Sequence, residues 1–256
     1  MGESDALRRI VSLSCAYKTT DEQYLLHGPS WDDKHWSRVL NREELKTFSW
    51  NPEWGTTITR KLILDEWSSA HDEVSAVHTF FLTMAWGFGA HFRGPWKTAA
   101  MFDSMLEKPF GEYLLKVKDL VEQSNSDAFR ALLEQKIKQL GPVYSSKLLY
   151  AMSAKTLRSP VMDMWIERWG RLPEFGLKFS VSSSRSIQEN VAELERFTEF
   201  CYLALQRVNS INQNWVTESE NDVGFVEYLI FWDSKYRRRK PWQKAFPLWV
   251  QHEVLK

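Results

Sequence analysis

Cysteine, net charge, long apolar runs and strand-forming segments are all scarce in this chain, and each shortage excludes something. The two cysteines, Cys15 and Cys201, lie far apart with no CxxC pair, so thiolates can build neither a zinc site nor an iron–sulfur cluster. A reduced, intracellular setting is expected. The 33 basic and 33 acidic side chains cancel, which argues against wholesale coating of nucleic acid and leaves any such contact to a local patch. No segment approaches roughly 18 uninterrupted apolar residues, the length that spans a bilayer, so a soluble protein with no membrane partner is expected. The opening MGESDALRRI carries neither a secretory apolar run nor the hydroxyl of a myristoylation signal. There is no internal repeat and no low-complexity segment, only 177–182 reads as a strand, and no cofactor is implied.

Aromatic residues are abundant. Thirteen tryptophans and 15 phenylalanines serve either a thick core or stacking surfaces for planar ligands, and the core takes most of them. Through residues 1–55, Gly28-Pro29, Asn51-Pro52 and Trp54-Gly55 punctuate short helical pieces. His27 and His35 there are surface or packing residues, because no third ligand stands at a fixed spacing. Ile58, Leu62, Ile63, Trp67 and then Val74, Val77, Phe81 step by three and four, which predicts two helices with one buried face each. Two more are expected over 110–140, with Ser126 capping the second. A loop over 168–184, a long amphipathic helix over 185–208 and a short apolar piece over 225–232 complete a mainly helical chain.

Three stretches carry possible chemistry. In AWGFGAHFRGPWKTAAMF, residues 85–102, glycines and a proline interrupt an aromatic run just after a helix. This bend either packs Trp86 and Trp96 inward as an interhelical turn or forms a pocket wall, with Arg93 and Lys97 in reach of an anion. At 235–244, KYRRRKPWQK gathers six basic side chains without an acid. It reads as a targeting or solubilising tail, or as a phosphate contact that includes Arg237, Arg238 and Arg239.

The third stretch, LGPVYSSKLLYAMSAKTLRSPVMDMW at 140–165, combines a helix break, a helix start and a carboxylate. Gly141 and Pro142 end one helix, and Ser145 or Ser146 can cap the next. Such a tight hairpin turns backbone N–H groups outward at the second helix's start, a neutral grip for one phosphate. Ser159 offers a further cap, Pro160 suits the first helical position, and Asp163 is then expected in the first turn, where the helix dipole favours its charge. By itself that carboxylate is as consistent with a purely stabilising role.

Leu140-Gly141-Pro142-Val143-Tyr144 and Pro160-Val161-Met162-Asp163 resemble the hairpin and aspartate segments of the helix-hairpin-helix DNA glycosylases, which include the 8-oxoguanine and alkylated-base enzymes. In that family the hairpin reads Leu-Pro-Gly-Val-Gly, and a Pro-Val-Asp segment delivers the catalytic aspartate to a helix start. Here the hairpin is permuted, two family glycines are replaced, and one residue is inserted before the aspartate. The phrase Pro-Val-Tyr-Ser-Ser-Lys-Leu-Leu-Tyr-Ala and the Trp-Gly-Phe-Gly bend are similar to bacterial 8-oxoguanine-glycosylase-like proteins and to anti-phage glycosylases that attack glucosylated hydroxymethylcytosine.

The resemblance implies a helix-hairpin-helix bundle of two packed helical lobes with a cleft between them. Residues 1–256 would form a single glycosylase-like domain, with the hairpin and catalytic segment at 127–169. It implies excision of a modified base from double-stranded DNA in a prokaryotic cytoplasm, with no obligate protein partner. Asp163 would be catalytic, stabilising the oxocarbenium-like sugar and positioning water. Bifunctional members place a nucleophilic lysine two residues after the second hairpin glycine, where Ser146 stands here with Lys147 one step beyond. One helical position rotates a side chain by about 100°, so Lys147 is a nucleophile, a phosphate contact or a structural residue, and a monofunctional enzyme is expected. DNA contacts are carried over to Gly141, Val143, Tyr144, Ser145 and Ser146, joined by the basic 237–239. Trp54, Trp86, Arg93 and Trp96 are the candidates for the pocket of a flipped base. The rival reading is a non-catalytic helical protein that binds DNA or a partner through the hairpin and the basic C-terminal edge.

Overall fold

The computed structural model describes residues 2–16, 24–106, 109–153, 158–211 and 222–237. Among them are eleven α-helices: α1 Gly2–Ala16, α2 Asp33–Leu40, α3 Arg60–Ser69, α4 Glu73–Phe88, α5 Gly94–Asp103, α6 Phe110–Gln123, α7 Asn125–Glu134, α8 Pro142–Met152, α9 Met164–Gly170, α10 Ile187–Ile211 and α11 Val223–Arg237. They form two compact units. One gathers the described residues of Met1–Tyr24, Pro160–Val181 and Ala192–Lys256; the other holds Leu25–Ser159 and Ser182–Val191. None of the helices is long and apolar enough to cross a membrane, among the described residues.

The larger unit is built around α4, which packs on α3, α5, α6 and α8. Its sequence is apolar on nearly every side, and Ala76, Phe80, Phe81, Leu82, Met84 and Ala85 are all buried, as befits a helix enclosed by others. Two threonines inside it need partners for their hydroxyls. Thr79 and Thr83 donate back to the carbonyls one turn earlier, and Thr83 accepts the Trp67 indole N–H at 2.9 Å. Helix α6 comes so close that a Cβ at Gly111 would lie 2.5 Å from the Glu73 backbone, which is why glycine stands there. The expected buried faces of α3 and α4 are present except at Val74, 55 % exposed in the first turn of α4.

In the other unit α11 packs on α9 and α1. Asp233, on α11, is buried and accepts from Arg9 Nε at 3.1 Å, Arg9 Nη2 at 2.6 Å and Trp169 Nε1 at 2.9 Å, so one carboxylate ties three helices together. Trp169 is fully buried, tilted against Phe175 at 4.4 Å.

Several expected boundaries move. Residues 177–182 form no strand, because their donors are taken elsewhere: Leu177 N–H by the Gly170 carbonyl, Ser180 N–H by Glu193 and Ser182 N–H by Asn190. The cap of α7 is Ser124, whose hydroxyl accepts from Asp127 N–H, not Ser126. Helix α8 starts at Pro142 with Gly141 as N-cap, so Ser145 and Ser146 cap nothing and lie buried within the helix. Between α7 and α8 the connection 135–141 is not a minimal turn, and it places Lys136 and Gln139 at φ 52° and 70°. Helix α9 begins at Met164, four residues after Pro160: Val161 and Met162 bury their side chains ahead of the helix, and Asp163 itself supplies the cap. The apolar piece at 225–232 belongs to the longer α11.

Candidate functional site

Two of the sequence motifs meet within the larger unit. The end of α4, Trp86-Gly87-Phe88, packs against the first turns of α8. Phe88 and Tyr144 rings approach to 4.1 Å, and Lys147 Nζ donates to the Gly87 carbonyl oxygen at 2.8 Å. Tyr144, Lys147 and Tyr150 are spaced by three and so share a face of α8. Lys147 lies over Trp86 at 5.8 Å and Tyr144 at 5.5 Å, and Trp86 stacks with Tyr150 at 5.9 Å and 18°. A Cβ at residue 87 would sit 3.0 Å from Lys147 Cδ, so the glycine makes room for the lysine stem.

Further cations join these rings. The Arg60 guanidinium lies 5.2 Å from the Trp86 ring and 5.0 Å from that of Tyr150, Arg158 is 5.4 Å from Tyr150, and Lys97 is 5.9 Å from Phe88 and 5.7 Å from Tyr144. Arginine and lysine over ring faces are held by the quadrupole and still project positive potential. Arg60, Arg158 and Tyr150 are buried, so the part of this cluster that reaches the surface is the half-buried Trp86, Tyr144 and Lys147.

Sequence reasoning missed Arg60, Tyr150 and Arg158. A signal for the first existed: Arg60 precedes Ile63 and Trp67 at the three- and seven-residue steps of the buried stripe of α3, where a charged side chain is out of pattern.

The other candidates separate. Gly141 caps α8, with open space around the position of a Cβ, and Val143 and Tyr144 follow it, half-buried. Ser145 and Ser146 are fully buried, and the Ser146 hydroxyl donates to the Val143 carbonyl, so neither hydroxyl is presented to a phosphate. Trp54 belongs to a different cluster with Trp50, Trp31 and Phe48; no ring contact joins it to Trp86 or Trp96 among the described residues. Trp96 is 46 % exposed on α5, and Arg93 lies in the exposed turn before it, 5.1 Å from the Phe92 ring. Arg237 ends α11, while Arg238 and Arg239 lie outside the described residues.

Asp163 sits in the smaller unit. One carboxylate oxygen, Oδ1, accepts from Trp165 N–H at 2.8 Å and Ile166 N–H at 3.3 Å, closing the first turn of α9. Its other oxygen bonds no described residue, and the side chain is half-buried. One oxygen therefore fixes the carboxylate's direction, and the second has no hydrogen bond among the described residues. No group of three His, Cys, Asp or Glu suited to a metal occurs among the described residues. Burial, reinforced by Glu227, pushes the Cys201 thiol well above its usual range, so it is no nucleophile at neutral pH.

A family model, Putative 8-oxoguanine DNA glycosylase OGG-like protein, matches residues 22–231. The chain belongs to this family. Membership points to DNA glycosylase activity and to DNA as the substrate, and the mainly helical architecture agrees with an OGG-like glycosylase fold. The OGG-like match spans the Trp86 bend, the hairpin and Asp163, and stops before the basic residues at 237–239. No curated protein and no solved structure matches the chain.

Proposed function

We propose that the protein is a monofunctional DNA glycosylase. It extrudes a modified base from duplex DNA and hydrolyses the bond between that base and deoxyribose, residues 1–256 acting as one domain. The observation that carries this reading is the bonding of Asp163. A carboxylate anchored through one oxygen at a helix start, with the other unengaged, can face the positive charge that develops on the sugar as the base departs. Water adds at C1′, its proton is lost to solvent or carboxylate, and the base leaves with the electrons of the glycosidic bond.

The half-buried Trp86, Tyr144 and Lys147 serve DNA binding, with the buried Tyr150 ring behind Trp86. Rings stack on bases and cations neutralise phosphates, and the start of α8 adds the Val143 N–H for a phosphate, Pro142 having none and the Tyr144 and Ser145 N–H groups donating to the Gly141 carbonyl. Lys147 does not act as the nucleophile in this reading. Its Nζ is instead held by the Gly87 carbonyl oxygen and lies over two rings, a binding and packing role.

The test is base release from duplexes bearing oxidised, alkylated or glucosylated hydroxymethylcytosine bases, scored as alkali-labile abasic sites. Wild type is expected to release one class. Asp163→Asn should lower release by about a hundredfold or more, the effect of removing one electrostatic stabiliser of a transition state, with DNA affinity retained. Trp86→Leu should weaken DNA binding more than Trp54→Leu. Release from glucosylated DNA alone assigns a role against phage. Binding without release from any substrate, or full activity in Asp163→Asn, overturns the proposal.

A further inference from the structure

The larger unit carries an open groove of about 440 Å³ whose apolar floor includes Val77, Phe102, Met105 and Phe110. It lies where the start of α4, the end of α5, the start of α6 and the turn Glu43–Leu45 come together. Its shape is built in. Phe102 and Phe110 meet edge-on at 5.8 Å and 89°, and a Cβ at Gly111 would lie 2.5 Å from Glu73, so the floor is packed and α6 already touches α4. Val74 and Leu106 line the same groove and are 55 % and 66 % exposed. A valine in the first turn of α4 and a leucine just past α5 gain nothing from facing water, and two such side chains on one apolar groove mark a surface that another molecule covers.

Charge selects the occupant. Glu43, Glu44 and Glu73 line the groove and no lysine or arginine does. Glu43 pairs with Lys46, and Glu44 with Arg42 Nη2 at 3.0 Å, while the Glu73 carboxylate has neither ion pair nor hydrogen bond among the described residues. These carboxylates are no metal site, since no group of three suited to one occurs among the described residues. They repel the phosphates of DNA, and a bare hydrocarbon would leave Glu73 unmatched. A protein segment with a large apolar side chain next to a lysine or arginine satisfies both the floor and the charge. An open groove with exposed walls suits such a segment better than a small molecule, which binds in an enclosed cavity.

We propose that this groove docks a partner protein through a short basic segment. One aromatic or branched side chain of the segment seats on Phe102, Met105 and Phe110, against Val74 and Leu106, and an adjacent lysine or arginine pairs with Glu73. Because the floor is already packed, docking loses little conformational entropy on this side. Val74 and Trp86 stand at opposite ends of α4, about 18 Å apart along its axis at 1.5 Å per residue. The partner therefore leaves the Trp86 end of the helix clear, and its docking needs no glycosylase activity.

Three fluorescein-labelled peptides test it by anisotropy with the full-length protein: Lys-Arg-Lys-Trp-Lys-Arg-Lys, the same peptide with alanine at its centre, and Glu-Asp-Glu-Trp-Glu-Asp-Glu. Wild type is expected to bind the first about tenfold more tightly than either of the others, the weight of one buried anchor. Leu106→Asp should weaken that binding about tenfold by the same measure. Glu73→Gln should weaken it about threefold, the scale of one exposed ion pair, and the difference should shrink as salt is raised. Both variants should keep the circular dichroism and the DNA affinity of wild type, because both side chains are exposed. Trp86→Leu should bind the peptide as wild type does, which separates the groove from the DNA-binding reading. Equal affinity for the three peptides, no binding of the first, or full affinity in Leu106→Asp overturns the docking site. Displacement of the peptide by an equal concentration of phenethylamine would give the groove to a small organic cation and overturn it as well.

Discussion

Lys147 Nζ lies 2.8 Å from the carbonyl oxygen of Gly87, so the hairpin's second helix reaches across to the end of α4 and holds it by a charged hydrogen bond. That bond joins the two stretches by which the sequence resembles DNA glycosylases.

The first prediction follows from this bond. Borohydride is expected to trap no covalent complex between wild type and a substrate duplex, because no lysine–sugar imine forms. Lys147→Gln, which can still donate to the carbonyl, should retain base release within about tenfold, the rate equivalent of losing roughly 1.5 kcal/mol from one charged hydrogen bond. A trapped adduct that disappears in Lys147→Gln would make the lysine the nucleophile.

The second concerns Asp233. Its buried carboxylate satisfies Arg9 and the Trp169 indole together. Removing it leaves a part-buried guanidinium and a buried N–H without an acceptor, so Asp233→Ala is expected to cost about 3–5 kcal/mol in urea unfolding. Asp233→Asn keeps an acceptor oxygen and should cost less. Equal stability of the alanine variant and wild type would show that α1, α9 and α11 do not depend on this carboxylate.

The third is a pH dependence. Burial lowers the pKa of His78 from 6.5, only partly opposed by the charge of Asp72, while its ring packs edge-on to Phe48 at 5.4 Å. Below pH 6.5 the unfolded imidazole takes up a proton before the folded one does. His78 therefore opposes unfolding least at low pH: its contribution is complete above the unfolded pKa and is lost as pH falls towards the depressed folded value. The urea midpoint of wild type should fall between about pH 7 and about pH 5.5 by more than that of His78→Gln. Parallel profiles would remove His78 as the cause.

How far the sequence could be read depended on whether the signal was local. The three- and four-residue steps of Ile58, Leu62, Ile63 and Trp67 marked a helix whose buried face the structure reproduces, because a 3.6-residue period is a property of the chain itself. Boundaries failed where tertiary burial overrode a local preference. Pro160 suits a helix start, yet Val161 and Met162 are buried in the core and the start is deferred to Asp163. Polar residues at 145 and 146 suit a cap, yet Pro142 opens the helix earlier and leaves them inside it. Trp54, Trp86 and Trp96 looked equivalent as rings, and only their contacts distinguish a member of a Trp31–Trp50 stack, a partner of Tyr150 and a surface residue.

The chain alone determined a mainly helical protein, the hairpin and bend that share a family with 8-oxoguanine glycosylases, and an aspartate at a helix start. Each of these is written in short-range spacing or in a contiguous motif. Tertiary structure decided that Arg60 and Tyr150 join Trp86, that Lys147 spends its charge on Gly87, and that Val74 and Leu106 line one groove. Those outcomes depend on which residues distant in sequence become neighbours, and packing sets that through the whole core at once.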